Sequence, residues 1–364
     1  MSFIFSLLAT FLLIFSTSCA GFVLNVKLAE LSGKALSEYV NSAQTLFVTE
    51  HSEELSDAEM RFKVMDGKFA EPKGDEPVMD RAEILPEPLP DYFDARDNWP
   101  DCKSIKLIRN QATCGACWAF GAAEIISDRV CIQSNGTQQP IISVDDILSC
   151  CGDSCGYGCE GGYSIEALRW WNSKGAVTGG DFKGSGCKPY PFAPCTKSPC
   201  EESQTPACLS TCQTGYSANY TSDKHFGSSA YAIEKTVAAI QTEIYHNGPV
   251  EASFKVYADF YQYKSGIYHY VAGKYLGGHA VKIIGWGVED EVAYWIIANS
   301  WGTTFGETGF FRMKRGSNEC GIESNVVAGV AKLSTHPEVE DDDGAASSCS
   351  LLVGLVAVLA LYLL

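Results

Sequence analysis

The string Gln111-Ala112-Thr113-Cys114-Gly115-Ala116-Cys117-Trp118-Ala119-Phe120 holds residue types suited to nucleophilic chemistry. A cysteine attacks as the thiolate, and two features lower its pKa: a helix N-terminus and a neighbouring imidazolium. From Cys117 onward, Trp118, Ala122, Ile125, Ile126 and Val130 follow a helical period, which places Cys117 at the start of a helix. The imidazole must come from elsewhere in the chain. Gly277-Gly278-His279-Ala280 supplies it, at the opening of a strand predicted over 280–286. In Ile297-Ala298-Asn299-Ser300-Trp301-Gly302, Asn299 is positioned to bond the far imidazole nitrogen, with Trp301 shielding that bond from water. Gln111 can donate its side-chain amide to an oxyanion together with the Cys117 backbone N–H. These residues together describe attack on a carbonyl.

Each element has a plainer reading. Cys114-x-x-Cys117 is also the spacing of a thioredoxin-like redox pair. Cys150, Cys151, Cys155 and Cys159 invite a zinc site, but their spacing is not that of two zinc knuckles. His279 alone would read as a structural histidine, and His225, His246 and His269 stand in no motif.

The elements that must position this chemistry run from helices to strands. Residues 175–230 read as loops, and a second helix is predicted from Tyr231, with Ile233, Val237, Ile240 and Ile244 on one face, to Asn247-Gly248-Pro249. Strands follow at 250–256, 280–286 and 294–299. This order is that of an α+β protein of two subdomains, with the site in the cleft between them.

Residues 1–20 read as a signal peptide cleaved after Ala20, and the proline-studded stretch 84–90 ends a charged, cysteine-free segment, 21–88, that reads as a removable pro-segment. The catalytic domain then spans 89–335, followed by an acidic linker and apolar tail over 336–364. The small residues of 344–348 before the apolar run 350–364 read as a GPI-anchor signal, with a trimmed tail in a lysosome-like compartment as the alternative. The secretory route agrees with the sequons at Asn135 and Asn219 and with sixteen cysteines, most of which should be paired in an oxidising compartment. A net charge of −17 excludes nucleic acid as a partner. No cofactor or metal is called for.

Cys114 to Trp118 match the Cys-Gly-[Ser/Ala]-Cys-[Trp/Tyr] signature of papain-like cysteine peptidases. The segments 158–162, 186–190, 263–266 and 320–324 resemble the cathepsin B type in particular, and the likeness covers nearly all of 89–332. It implies the papain-like fold: a helical left subdomain, a β-barrel-like right subdomain and a cleft between. It also implies peptide and protein substrates, an inhibitory pro-segment and cystatin-type inhibitors. Gly161 and Gly162 become a backbone strip that pairs with substrate, and Ala280, Trp301 and Asn325 join the substrate-binding residues. The disulfide pattern is likewise what the resemblance implies: Cys102–Cys131, Cys114–Cys159, Cys150–Cys208, Cys151–Cys155, Cys187–Cys212 and Cys195–Cys200, leaving Cys117 and Cys320. Ala112 stands where the family usually has Gly, and Ala116 replaces a common Ser; neither is expected to do much harm.

Three departures bear on specificity. Asn325 stands where cathepsin B has the glutamate that lets its pocket accept Arg at the second residue before the cut. The insertion 184–215, like an occluding loop, has no histidine in Cys195-Thr196-Lys197-Ser198-Pro199-Cys200, where the family carries the pair that grips a terminal carboxylate. Asn110 and Thr304 replace the acids that pin that loop. The expectation is an endopeptidase with a hydrophobic pocket and weak or absent dipeptidyl carboxypeptidase activity; the alternative is a catalytically silent adhesion or matrix-binding relative.

Overall fold

A computed structural model describes residues 27–53, 57–79 and 88–333. The signal peptide, the cleavage after Ala20, most of the proline-studded stretch and the 336–364 tail lie outside the described residues. The longer helices are α1 (Gly33–Ala43), α2 (Cys117–Gln133), α3 (Val144–Cys150), α4 (Ser164–Lys174) and α5 (Val237–Asn247). The strands are β1 (Phe47–Thr49), β2 (Val78–Met79), β3 (Phe93–Asp94), β4 (Phe226–Ile233), β5 (Val250–Tyr257), β6 (Tyr263–Tyr268), β7 (Tyr275–Glu289), β8 (Val292–Ala298), β9 (Phe310–Lys314) and β10 (Val326–Lys332).

Two apolar cores divide the fold. One gathers α2, α3 and α4 around Trp118, Phe120, Ile125, Leu168 and Trp171. The other lies against the sheet around Phe254, Phe260, Ile283, Trp286, Trp295 and Phe311. The strands run in the order β1-β6-β9-β8-β7-β5-β10-β4-β2, with β3 also on β7. The right half is therefore an open sheet rather than the barrel-like one expected. Its two outer strands, β6 and β4, pair with β1 and β2 of the N-terminal segment instead of with each other.

The helix α2 begins at Cys117 as expected, but it is not amphipathic. Cys117 to Cys131 are all buried, including Glu124, Asp128 and Arg129. The polar residues are accommodated by partners from the sheet half: Arg129 binds the Glu243 carboxylate at 2.9 Å and the Gly248, Pro249 and Gly329 carbonyls, and Lys282 reaches Asp128 at 2.9 Å. A buried charge is tolerated only when so satisfied.

The predicted helix from Tyr231 starts six residues late. Tyr231 to Ile233 end strand β4, paired with β10 and β2, and Thr236 caps α5 by accepting from the Ala239 N–H. His279 lies inside β7, not at its opening.

Candidate active site

The site is assembled across the two cores. Cys117 enters at the first turn of α2, and β7 meets it through the Ala280 N–H, next in the chain after His279, which is in register with Phe254 of β5. Asn299 follows the end of β8. His279 Nε2 lies 2.8 Å from Asn299 Oδ1, which also accepts from the Ser300 N–H. As Asn299 Oδ1 can only accept, Nε2 carries the proton and Nδ1 presents its lone pair. Trp301 stacks on the imidazole with centroids 4.7 Å apart, closing that hydrogen bond to water.

Gln111 is fixed from four sides. Its backbone N–H donates to the Ser300 carbonyl and its carbonyl accepts from Tyr190 Oη. Its Oε1 accepts from Ser300 Oγ and Trp301 Nε1, the second a role for Trp301 that the sequence did not suggest. Nε2 is thereby turned toward Cys114 O at 2.7 Å and Lys63 O at 3.1 Å. Gly115 is required by its surroundings: a Cβ there would come within 2.8 Å of the Val64 carbonyl, and within contact of Cys159 O. Ala112 adopts φ +55°, a left-handed conformation that costs an alanine roughly 1 kcal/mol over glycine. That is the physical reason for a Gly here, and the substitution is less innocent than the sequence suggested.

Cys114 is bonded to Cys159, which ties the nucleophile loop to the strip at Gly161 and Gly162. The other five bonds are Cys102–Cys131, Cys150–Cys208, Cys151–Cys155, Cys187–Cys212 and Cys195–Cys200. Cys117 and Cys320 are free. The zinc and redox-pair readings end there, because Cys114, Cys150, Cys151, Cys155 and Cys159 are all in disulfides. Asn135 and Asn219 are both exposed.

The N-terminal segment runs through this site. Met65 exchanges both backbone hydrogen bonds with Gly278, at 2.9 and 2.8 Å, and the Asp66 N–H donates to Glu160 O. Phe69 and Met65 sit where a Cβ on Gly161 would be, and Asn325 Nδ2 donates to Ala70 O at 3.2 Å. Lys63 O takes the Gln111 amide, the donor expected from the sequence to meet an oxyanion. Gly278, Glu160 O and Lys63 were not singled out from the sequence. The glycine pair before His279 was the available signal for Gly278, and the segment 158–162 that for Glu160; Lys63 had none.

Burial by this segment sets the protonation states. Cys117 is fully buried, which pushes its thiol up to about 12 although the N–H groups of Ala280, Trp118 and Cys117 itself favour the thiolate. Burial pulls His279 down to about 4, opposed by its bond to Asn299 and reinforced by the Lys63 ammonium. Lys63 itself is lowered to about 8 by burial. His279 Nδ1 has no hydrogen-bond partner among the described residues. The expected thiolate–imidazolium pair is therefore absent from this covered form, which holds a thiol beside a neutral imidazole.

Residues 89–330 match the model of the papain family cysteine proteases. The chain belongs to that family. This protease is 64% identical over 365 residues to cathepsin B-like cysteine proteinase 3 of Caenorhabditis elegans, covering 97% of this chain and 98% of that one. It is also 64% identical over 303 residues to the gut-specific cysteine proteinase of the same organism, covering 83% and 92%. Among solved structures it is similar to procathepsin B S9 from Trypanosoma congolense, with a TM-score of 0.71 and 35% identity over 82% of this chain and 98% of that one. The chain is thus a cathepsin B-like cysteine peptidase, a hydrolase. In procathepsins the pro-segment lies on the peptidase domain, and residues 27–53 and 57–79 do so here.

The insertion is held to the body by the Cys150–Cys208 disulfide, by ion pairs of Lys188 with Asp145 and Asp146, and further along by neutral contacts. Ser203 N–H donates to Thr113 O at 2.9 Å, and the Cys159 N–H donates to Thr205 Oγ1 at 2.9 Å. Its tip meets the pro-segment, where Glu59 Oε1 accepts from Ser198 Oγ and the Cys200 N–H. Asn110, in place of a pinning acid, turns inward to accept from the Ala112 N–H.

Proposed function

We propose that the peptidase, freed of its pro-segment, is mainly an endopeptidase that prefers hydrophobic residues at the second position before the cut. The observation that carries the preference is Asn325, nearly buried, whose carboxamide binds the pro-segment backbone at Ala70 and offers no charge to a guanidinium. Burying Arg against an amide costs more than burying Leu, Val or Phe. A blocked Phe-Arg substrate should be cut at least tenfold faster than Arg-Arg, about 1.4 kcal/mol. Asn325→Glu should raise the Arg-Arg rate; equal kcat/KM for the two substrates in the unmodified enzyme refutes the preference.

The weak dipeptidyl activity rests on the insertion tip. Residues 195–200 contain no histidine, and the nearest cation, Lys197, is exposed. An exposed ammonium–carboxylate pair contributes only about 0–1 kcal/mol. A blocked internal substrate compared with one bearing a free C-terminal carboxylate, from pH 4 to 7, tests this. Fast dipeptide release that disappears in Lys197→Ala would overturn it. The silent-module alternative has no support: the family is enzymatic, and Cys117, His279, Asn299 and Gln111 are brought together.

A further inference from the structure

Lys255 is the one exposed position in β5, whose other residues are buried apart from the half-buried Tyr257. It pairs in register with Gly278, the residue whose backbone holds Met65 of the pro-segment. Ser253, two positions earlier and on the same face of the strand, donates its N–H to Asn325 O. Ser253 and Lys255 both line a cavity of about 230 Å³ whose opposite wall is Ala70 and Glu71 of the pro-segment. Asn325 adjoins this cavity through two of its lining residues, its O accepting from the Ser253 N–H and its Nδ2 donating to Ala70 O.

Its charge is answered from the removable side. Lys255 Nζ lies 2.8 Å from Glu71 Oε1. Among the described residues no carboxylate of 88–333 forms an ion pair with it. Release of the pro-segment opens the pocket and takes the partner acid away together, leaving an ammonium at the rim of a substrate subsite.

We propose that Lys255 is a specificity-determining residue that favours an acidic side chain of the peptide substrate, and disfavours a basic one, in the subsite it shares with Asn325. The inference rests on the peptidase reading above. Only binding is involved: a carboxylate of the substrate replaces that of Glu71. The rim is solvated, so the discrimination is modest and falls with salt.

The test uses the processed enzyme and blocked fluorogenic peptides that carry Glu or its neutral isostere Gln at each of the three residues preceding the one cut, Phe elsewhere. At low salt the Glu/Gln ratio of kcat/KM should reach about three- to fivefold at one of these positions. It should fall to about one in Lys255→Ser and below one in Lys255→Glu, while the all-Phe substrate is cut equally by all three. Identical ratios in the unmodified enzyme and Lys255→Ser at every position would overturn the inference. Failure to cut the all-Phe substrate would instead sink the peptidase reading. Asn325→Glu serves as a separate control, because it changes the charge inside the pocket and leaves the rim as it was.

Discussion

Replacing Cys117 with alanine in the processed enzyme should lower kcat/KM on a blocked peptide by roughly 10⁵-fold or more, and His279→Ala should do almost as much. The two act as one device, since the thiolate forms only by giving its proton to the imidazole. The double variant should therefore be no slower than either single one. Gln111→Ala should lose about 10²- to 10³-fold, in kcat rather than KM, because its amide meets the oxygen only as negative charge develops there. Steady-state kinetics on titrated enzyme separate these cases. Additive losses in the Cys117 and His279 double variant would mean that the two do not share a proton, and would break the mechanism.

The second large effect concerns the intact precursor. In the covered site His279 is held neutral, at about 4, and in the Cys117→Ala precursor, where no thiol is left to hand the ring its proton, the uncovered imidazole titrates near the ordinary 6.5. Below 6.5 the open form therefore binds a proton that the closed form cannot. The closed form loses stability as pH falls, and continues to lose it until pH reaches about 4. Asp75 acts in the same direction: its bond to Arg169 keeps it below the usual carboxylate range, so its contribution is present at neutral pH and lost on acidification. From His279 alone the opening constant should rise by roughly 10²-fold between pH 6.5 and 4, at up to tenfold per unit for one proton. The amide of Met65, which donates to Gly278, reports opening by hydrogen exchange once corrected for its intrinsic rate. Cys117→Ala precursor avoids self-cleavage during the measurement. A flat profile would refute the account, and His279→Gln should remove most of the slope while leaving the smaller carboxylate part.

The residues of the reaction were legible because their chemistry is local. A cysteine at a helix start, an imidazole on a strand and an amide two residues before a tryptophan need no knowledge of the fold to be read. The disulfide partners were not legible in that sense; they came from resemblance, since spacing does not select among pairings. What periodicity misjudged was decided by distant pairing. Tyr231 to Ile233 fit a helix by pattern, but β10 and β2 claim their backbone. Glu124, Asp128 and Arg129 carried no signal of burial in the helical period of α2; Lys282 of β7 and Glu243 of α5 reach Asp128 and Arg129 from the other half of the fold. Lys63 was invisible for another reason: its part in the site is a backbone carbonyl and a buried charge within a segment set aside as removable.

The pro-segment also serves the sheet at its two borders. β1 lies along β6, and β2 pairs with Ala232 and Ile233 at the end of β4. Processing strips both covers and leaves two rows of unpaired N–H and C=O groups, which can template pairing with another chain. The peptidase is unevenly protected against this. β6 carries Lys264, released from its pair with Glu50, whose charge discourages a neighbouring strand. β4 reads Phe226-Gly227-Ser228-Ser229-Ala230-Tyr231-Ala232-Ile233 and carries no charge at all. Maturation thus uncovers the last stretch of β4 and makes that uncharged border the natural place for self-association.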